Sequence, residues 1–151
     1  MFGTRRIRHY LAIVSLCLGF LPGWVAAEMV SIRSDQVNMR SGPSTSSKAL
    51  WELKKGYPLR VLSRKGNWVR VQDFESDKGW IYAKLTGKTP YHIVKSRTAN
   101  IRSGPGTKFK VIGQASNGDL LRTRAKRSSW VQIQAENGVK GWVSRSLLWG
   151  W

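Results

Sequence analysis

Cysteine and histidine are scarce in this chain of 151 residues. The single cysteine, Cys17, lies in an apolar stretch near the start, so the rest of the chain has no thiol for a disulfide, a zinc–thiolate site or a nucleophile. After residue 27 the one histidine is His92, which we expect to be solvated because a catalytic histidine needs an orienting partner. These shortages predict a protein that is not an enzyme and that uses no metal or cofactor.

Acidic residues are also few: eight Asp and Glu stand against 26 Lys and Arg, for a net charge of +18. Asp73, Glu75 and Asp77 form the one carboxylate cluster in the sequence. It lacks the glycine turn and distal glutamate of a calcium loop, so we expect a solvated hairpin tip. The basic surplus favours anionic partners and salt-sensitive association. A soluble basic protein whose charge merely suits its surroundings is the alternative.

Long apolar runs are confined to the first 27 residues, which have the layout of a secretory signal peptide. Basic residues at 5–8 precede the apolar run 11–21, and small residues lead up to Ala27. We expect cleavage between Ala27 and Glu28, export to the periplasm or cell envelope, and no stable membrane span afterwards. Nucleic acid is then in the wrong compartment to be a partner. The alternative is a retained anchor, although the uncharged stretch 10–27 is barely long enough to span a bilayer.

Residues 38–85 return as residues 100–147 at a constant offset of 62, with 17 of 48 positions identical. A unit of about 60 residues can bury a core of its own. The sequence therefore predicts two domains, 28–86 and 87–151, which we call the first and second modules. Duplication of a small domain points to repeated binding, because two weak sites on one chain gain effective concentration.

Neither module shows helical periodicity. Short alternating stretches interrupted by Gly, Pro, Ser and Asn predict all-β domains. Five short strands and one helical turn describe a small barrel, with a loop at 63–67 and a linker at 86–90. Period-two spacing predicts these inward positions: Leu59, Val61, Val69, Val71 and Ile81, matched by Leu121, Thr123, Val131, Ile133 and Val143.

The repeated pattern Asn-x-Arg-Ser-Gly-Pro, then a turn glycine, Trp-Val-x-Val and Lys-Gly-Trp-Ile/Val, resembles the bacterial SH3-like (SH3b) domain family. The closing segment 146–151 is similar to the end of a group of exported tandem SH3-like proteins. The resemblance implies five-stranded SH3-like barrels and a non-catalytic role in targeting the cell wall or a peptide partner. Such domains often accompany a wall hydrolase. We expect no room for one in this chain, which argues against a simple enzyme-targeting role unless the enzyme is a separate chain.

Tryptophans supply the first candidate binding residues. We expect Trp80 and Trp142 to seal the barrel cores. Trp68 and Trp130 start strands whose inward positions are valines, so period two turns the indoles to the other face. In eukaryotic SH3 relatives the tryptophan at this strand start lines the peptide groove, and the resemblance implies that role for both residues, joined by Tyr82. The alternative is a tryptophan that simply covers a thin barrel wall.

Residues that differ between the repeats are further candidates. Trp51 and Tyr57 become Gly113 and Asp119 in the second module, so we expect the first to offer the more aromatic contact. The second places four cations on an outward strand face and the following loop: Arg122, Arg124, Lys126 and Arg127. Forked guanidinium groups suit carboxylate or phosphate oxygens. A solvated edge kept basic to discourage strand pairing is the alternative.

The sequence thus favours an exported, non-enzymatic module that binds cell-wall polymer or its peptide stems. A periplasmic adaptor that binds an extended peptide of an envelope protein is one alternative. A non-specific polyanion binder is the other.

Overall fold

Two antiparallel sheets make up the part of the chain that the structure, a computed structural model, describes, which is residues 26–151. The predicted signal segment lies outside this range except for Ala26 and Ala27. The first sheet has seven strands in the order β3-β2-β6-β5-β4-β1-β7. Their bounds are β1 Met29–Ile32, β2 Val37–Arg40, β3 Ala49–Leu53, β4 Pro58–Lys65, β5 Trp68–Gln72, β6 Lys78–Tyr82 and β7 Thr86–Gly87.

The second sheet repeats this topology in the order β10-β9-β13-β12-β11-β8-β14. Its strands are β8 Tyr91–Val94, β9 Thr98–Arg102, β10 Val111–Ser116, β11 Leu120–Arg127, β12 Trp130–Gln134, β13 Lys140–Ser144 and β14 Leu148–Gly150. Short 3₁₀ turns at Ala83–Leu85 and Arg145–Leu147 precede the last strand of each sheet. Between residues 26 and 151 no helix has the length and apolarity needed to cross a membrane.

Each module has a core of its own, as the repeat predicts. The inward residues Val69, Val71 and Ile81 are fully buried in the first core, and Val131 and Val143 in the second. Burying a side chain of this size contributes roughly 1.5–3 kcal/mol. The all-β fold and its duplication are confirmed, but each sheet has seven strands where five were expected.

The extra strands come from segments expected to be irregular. β7 lies in the predicted linker and pairs with β1, and β14 pairs with β8 in the same way. Gly87, assigned from sequence to the second module, thus pairs with Ser31 of the first sheet. The closing segment of the chain folds back onto the second module. Strands this short carry too few residues for an alternation pattern to be visible in the sequence.

The loop expected at 63–67 is mostly strand, because β4 continues to Lys65. A register shift between Val61 and Ser63 in β4 has its counterpart between Thr123 and Ala125 in β11. A β-bulge inserts one residue and interrupts the inside–outside alternation. The period-two pattern ends there although the hydrogen-bonded pairing does not.

In each module the Asn-x-Arg segment and the Lys-Gly-Trp segment come into contact at the glycine. A Cβ built on Gly79 would lie 3.0 Å from the carbonyl oxygen of Arg40, and one on Gly141 would lie 2.7 Å from that of Arg102. No larger residue fits without moving backbone, which explains why glycine precedes the tryptophan in both Lys-Gly-Trp segments. This approach places β6 beside β2 and β13 beside β9.

Two contacts between the modules involve aromatic residues of the second module. The guanidinium carbon of Arg60 in β4 lies 5.7 Å from the ring centroid of Trp149 in β14. The ring of Tyr91, at the start of β8, lies against Gly56, so that a Cβ there would come within 2.7 Å of Cε1. An aromatic residue of the second module meets the first at each contact.

Candidate binding surfaces

Trp68 and Tyr82 form an aromatic pair on the outer face of the first module. They are directly opposite in the β5–β6 pairing, with ring centroids 5.7 Å apart and planes inclined at 64°. Both are half-buried, while their neighbours Val69 and Ile81 point into the core. Edge-to-face packing fixes the two rings in a preferred geometry and leaves apolar surface exposed. The pair that the resemblance implied is therefore brought together.

The expectation that Trp80 and Trp142 seal the cores is wrong. Both are half-buried and lie on the outer face, because the buried glycine before each occupies the inward position. Trp80 lies between Arg70 and Arg40 in the strand register. The outer face of the first module is thus a sheet surface with three aromatic rings and two flanking arginines.

Trp130 lines a small cleft of about 270 Å³ on the equivalent face of the second module, together with Ser144, Arg102 and Thr107. Ser144 replaces Tyr82, so the indole has no aromatic partner opposite it and the space stays open. Arg102 Nη1 donates to the carbonyl oxygens of Thr107 and Phe109, both at 2.9 Å. This arginine belongs to the repeated Asn-x-Arg motif, and here it shapes the loop that walls the cleft.

A second cleft, larger at about 590 Å³, lies between the modules. Tyr57 and Glu52 line it from the first module, and Tyr91, Arg122 and Glu136 from the second. We call it the inter-module cleft. It joins two predicted site residues, Tyr57 and Arg122, that are 65 positions apart in the sequence.

Tyr57 is held firmly at this cleft. Its ring lies 6.4 Å from that of Phe74, at a tilt of 53°. Burial, followed by the negative charge of Asp73, raises the pKa of the Tyr57 hydroxyl far above its usual 10. Tyr57 therefore stays a neutral hydrogen-bond donor at every physiological pH.

Sequence reasoning missed Tyr91 and the carboxylates of the inter-module cleft. Besides Glu52 and Glu136, Asp35 and Asp119 line it. Four of the eight acidic residues of the chain therefore lie in one place. Their scarcity was visible in the sequence, but their convergence depends on how the modules meet.

The predicted cation cluster does not form a single surface. All four residues lie on β11 and none in the loop that follows. Arg122 and Arg127 are opposite Gln134 and Trp130, on the outer face, whereas Lys126 is opposite Val131, on the other face of the strand, although its side chain is exposed. The bulge at Arg124 causes this split. Arg127 is thus placed beside Trp130, and Arg122 in the inter-module cleft.

Lys126 has a less favourable electrostatic environment than its counterpart in the first module. Partial burial, then the charge of Arg145, lowers the pKa of Lys126. The equivalent residue, Arg64, instead pairs with Glu28 at 2.7 Å, and Lys88 contacts the same carboxylate. The second module has Pro90 at the position of Glu28, so its cations lack that neutralising partner.

Trp51 lies apart from the other candidates. It is on β3, at the edge of the first sheet, and the residue is 55% exposed. Leu50 beside it is also exposed, as are Val111 and Ile112 on the corresponding edge strand β10. Each sheet therefore ends in a strand with solvent-facing apolar residues.

His92 is buried, so the expectation that it is solvated is wrong. Only 2% of it is exposed, and its Nδ1 shares a hydrogen bond of 2.7 Å with Oγ1 of Thr123. Burial, then the nearby charge of Lys126, lowers the pKa of His92 to about 4. A neutral histidine enclosed in this way fills a core position that Val30 occupies in the first module.

The carboxylate cluster also differs from a solvated tip. Asp73 is buried, and its Oδ1 accepts from the backbone nitrogens of Glu75 and Asp77 at 3.0 and 2.8 Å. The three carboxylates lie within 4.8 Å of one another. The buried member is already engaged in closing its own turn.

Comparison with known proteins agrees with this architecture. Profiles of the bacterial SH3 domain match residues 33–87 and, separately, residues 97–148. The chain belongs to the bacterial SH3 domain family. The SH3b fold predicted from the repeated motifs is confirmed in both modules.

Two proteins that are similar in sequence to this chain are named as enzymes. YrvJ of Bacillus subtilis (strain 168), named as an N-acetylmuramoyl-L-alanine amidase, is 33% identical over an alignment of 128 residues that covers 78% of this chain and 24% of YrvJ. LytH of Staphylococcus epidermidis (strain ATCC 12228), named as a cell wall amidase, is 29% identical over 49 residues, covering 32% of this chain and 17% of LytH. The SH3b chain thus spans only a minor part of either relative, within the SH3b region.

Solved structures give looser matches. NlpC1 from Trichomonas vaginalis is 13% identical with a TM-score of 0.35, covering 90% of this chain and 50% of that one. An NlpC/P60 family protein from Bacillus cereus ATCC 10987 is 16% identical with a TM-score of 0.38, covering 81% and 56%. Similarity this low carries no argument about what the SH3b chain does.

Proposed function

We propose that this protein is an exported, non-enzymatic binding protein that attaches to cell-wall peptidoglycan through the outer faces of its two SH3b modules. The observation that carries the proposal is the Trp68–Tyr82 pair, a half-exposed aromatic platform at a fixed geometry. Its counterpart in the second module is Trp130 with the open cleft beside it. We call these two outer-face surfaces, one in each module, the aromatic platforms. Rigid aromatic rings give contact area at low entropic cost, which suits sugar rings and peptide backbone alike.

The chemistry of the described residues supports binding over turnover. His92 is enclosed and bonded to Thr123, so it cannot reach a substrate. Asp73 is likewise committed to backbone donors. The relatives named as wall amidases match within the SH3b region, which supports a shared target in the wall more than a shared reaction.

Charge supports the same target. The part after Ala27 keeps 23 of the 26 basic residues and all eight acidic ones, for a net charge of +15. Wall polymers are anionic, and long-range attraction raises the rate at which the protein meets them. Arg127 beside Trp130 and Arg70 beside Trp80 place cations next to the aromatic platforms.

A pull-down with purified sacculi tests the proposal. The protein should be retained, and the double variant Trp68→Ala/Trp130→Ala should be retained at least about tenfold less, because aromatic anchors at binding surfaces commonly contribute 2 kcal/mol or more. Ile112→Ala is the control, an exposed apolar residue on edge strand β10 that lines neither of the two clefts. No retention of the unaltered protein at low salt would exclude wall binding.

The same assay separates specific recognition from general attraction to polyanions. A specific site should prefer sacculi over heparin or DNA at 150 mM salt, and the double variant should lose that preference. A non-specific binder would show equal affinities that fall together as salt rises.

A second function, an adaptor for an envelope protein, is favoured by the exposed apolar edge strands β3 and β10. An extended peptide can add to such an edge, with side chains such as Trp51 contacting alternate residues. In-cell cross-linking from position 51 should then capture one dominant protein. Cross-links to many proteins in proportion to abundance would exclude the adaptor.

A further inference from the structure

We propose that the inter-module cleft is a second, separate binding site for a short peptide that carries both a free amine and a free carboxylate. The inference deepens the proposed function and rests on it, since peptide stems of the wall are ligands of this class. The cleft is built by both modules, so it exists only because the domain is duplicated.

The size and floor of the cleft suit such a ligand. Its volume of about 590 Å³ falls within the range of roughly 300–1,000 Å³ typical of small-molecule sites. Tyr57 and Tyr91 come from opposite modules and are half-buried, as are Leu120 and Ala135, whereas the charged residues that line the cleft are exposed. Aromatic and apolar side chains at the floor can contact a peptide backbone while charged groups at the rim read its ends.

The acidic residues argue for an amine. Half of all the carboxylates in a chain of net charge +18 line this one cleft. Asp35 accepts a hydrogen bond from the backbone N–H of Lys55, and Asp119 accepts one from that of Ser116, which orders the surrounding turns. In residues 26–151, Glu52 and Glu136 make no hydrogen bond or ion pair through their carboxylates, so both are available to a ligand.

Cations of the same cleft argue for a carboxylate on the ligand. Lys54, Lys55 and Arg122 line it, yet the only side-chain ion pairs in the described residues are those of Glu28. Opposite charges in the cleft are therefore held apart and are not neutralised by one another. A ligand with charges of both signs would satisfy both sets, and a pure polyanion would meet four carboxylates.

The position of the cleft separates it from the aromatic platforms. Tyr57 and Arg122 line the inter-module cleft, whereas Trp130 and Ser144 line the smaller one, and the two share no residue. Each site can therefore be altered without changing a residue of the other. A polymer carrying peptide branches could engage both, which would raise avidity through effective concentration.

A ligand titration tests this inference. The probe is a synthetic tetrapeptide with a blocked amino terminus, one free side-chain amine and a free carboxyl terminus, added to the ¹⁵N-labelled protein. We expect saturable NMR shifts at Tyr57 and Tyr91. Acetylating the amine should weaken binding by about five- to tenfold, because the carboxylates lose their cationic partner.

Glu52→Gln/Glu136→Gln is the matched variant. Both side chains are exposed and unbonded, so the fold should persist, and affinity for the free amine should fall by about five- to tenfold. The variant should bind the acetylated peptide like the unaltered protein. Glu28→Gln, which removes a carboxylate outside the cleft, should change neither affinity.

Three outcomes would overturn the inference: no shifts at Tyr57 and Tyr91, equal affinity for the acetylated peptide, or shifts confined to the surroundings of Trp68 and Trp130. Its failure is distinguishable from failure of the proposed function. If the cleft is not a site, sacculi are still retained through the platforms, and Glu52→Gln/Glu136→Gln leaves retention unchanged. If the wall is not the target, sacculi are not retained at all.

Discussion

The ring of Tyr91 in the second module covers the backbone of Gly56 in the first, so closely that a Cβ on Gly56 would lie 2.7 Å from Cε1. Gly118 is the repeat counterpart of Gly56 and has nearly the same φ, +86 against +87, yet nothing lies within 4 Å of its Cβ position. The same turn glycine is thus free in one module and packed in the other. This difference offers a direct measure of the contact between the modules.

Replacing each of these glycines with alanine should separate backbone strain from inter-module packing. Both variants force an alanine to positive φ, at a cost of roughly 1–2 kcal/mol. Gly56→Ala should cost at least about 1 kcal/mol more than Gly118→Ala in urea unfolding, since it also displaces Tyr91. Equal losses for both variants would show that Tyr91 does not pack on Gly56 in solution.

Arg60→Ala should loosen the modules with little effect on either core. Arg60 is exposed and lies over the ring of Trp149, a geometry worth roughly 0.5–1 kcal/mol at such a site. We expect a shift of the Trp149 indole NMR signal and a slightly lower apparent melting temperature of the protein, because a contact between the modules is lost. Arg97→Ala, another exposed cation, is the control. An unchanged indole signal in Arg60→Ala would contradict the contact.

His92 should make the stability of the second module depend on pH. Its pKa is about 4 in the folded state and about 6.5 when unfolded, so only the unfolded state gains a proton as pH falls between these values. The contribution of His92 to the free energy of unfolding is complete above pH 6.5, declines as the pH falls towards 4 and levels off below pH 4. The loss should reach up to about 3 kcal/mol, measured by urea unfolding at pH 7 and pH 4.5.

The first module supplies the matched control for this titration. Val30 and Val61 occupy the positions of His92 and Thr123, so His92→Val/Thr123→Val reproduces an apolar pair that the fold already accommodates. The double variant should lose the difference in stability that His92 causes between the two pH values. A pH profile unchanged from that of the original protein would exclude His92 as the origin.

Much of the fold was predictable because its signals are local. Alternation placed Val69, Val71 and Ile81 inside, and the helical turn expected in the first module is the 3₁₀ turn Ala83–Leu85. Trp80 and Trp142 were misplaced because tryptophan size suggested burial, whereas the glycine before each takes the inward position. His92 was misjudged since a buried histidine is acceptable once a partner such as Thr123, 31 residues away, bonds to it.

The candidate site residues show the same contrast between positions set by a local pattern and positions set by the tertiary structure. Period two turned Trp68 outward, and Tyr82, which the resemblance to SH3-like domains implied would join it, lies directly opposite in the β5–β6 pairing. The four cations of β11 were expected on one surface, but a bulge at Arg124 turned Lys126 to the other side. A bulge leaves no periodic signal in a sequence, so this rearrangement was not visible beforehand.

What the sequence determined by itself is the duplication, the β fold of each module, the excess of positive charge and the outward direction of Trp68 and Trp130. All follow from composition, repetition and period-two spacing, which act over a few residues. Only the tertiary structure decided that Tyr57, Tyr91 and four of the eight carboxylates meet in one cleft. That meeting depends on how the two sheets pack against each other, and packing between domains is set by surface shape, which no local pattern encodes.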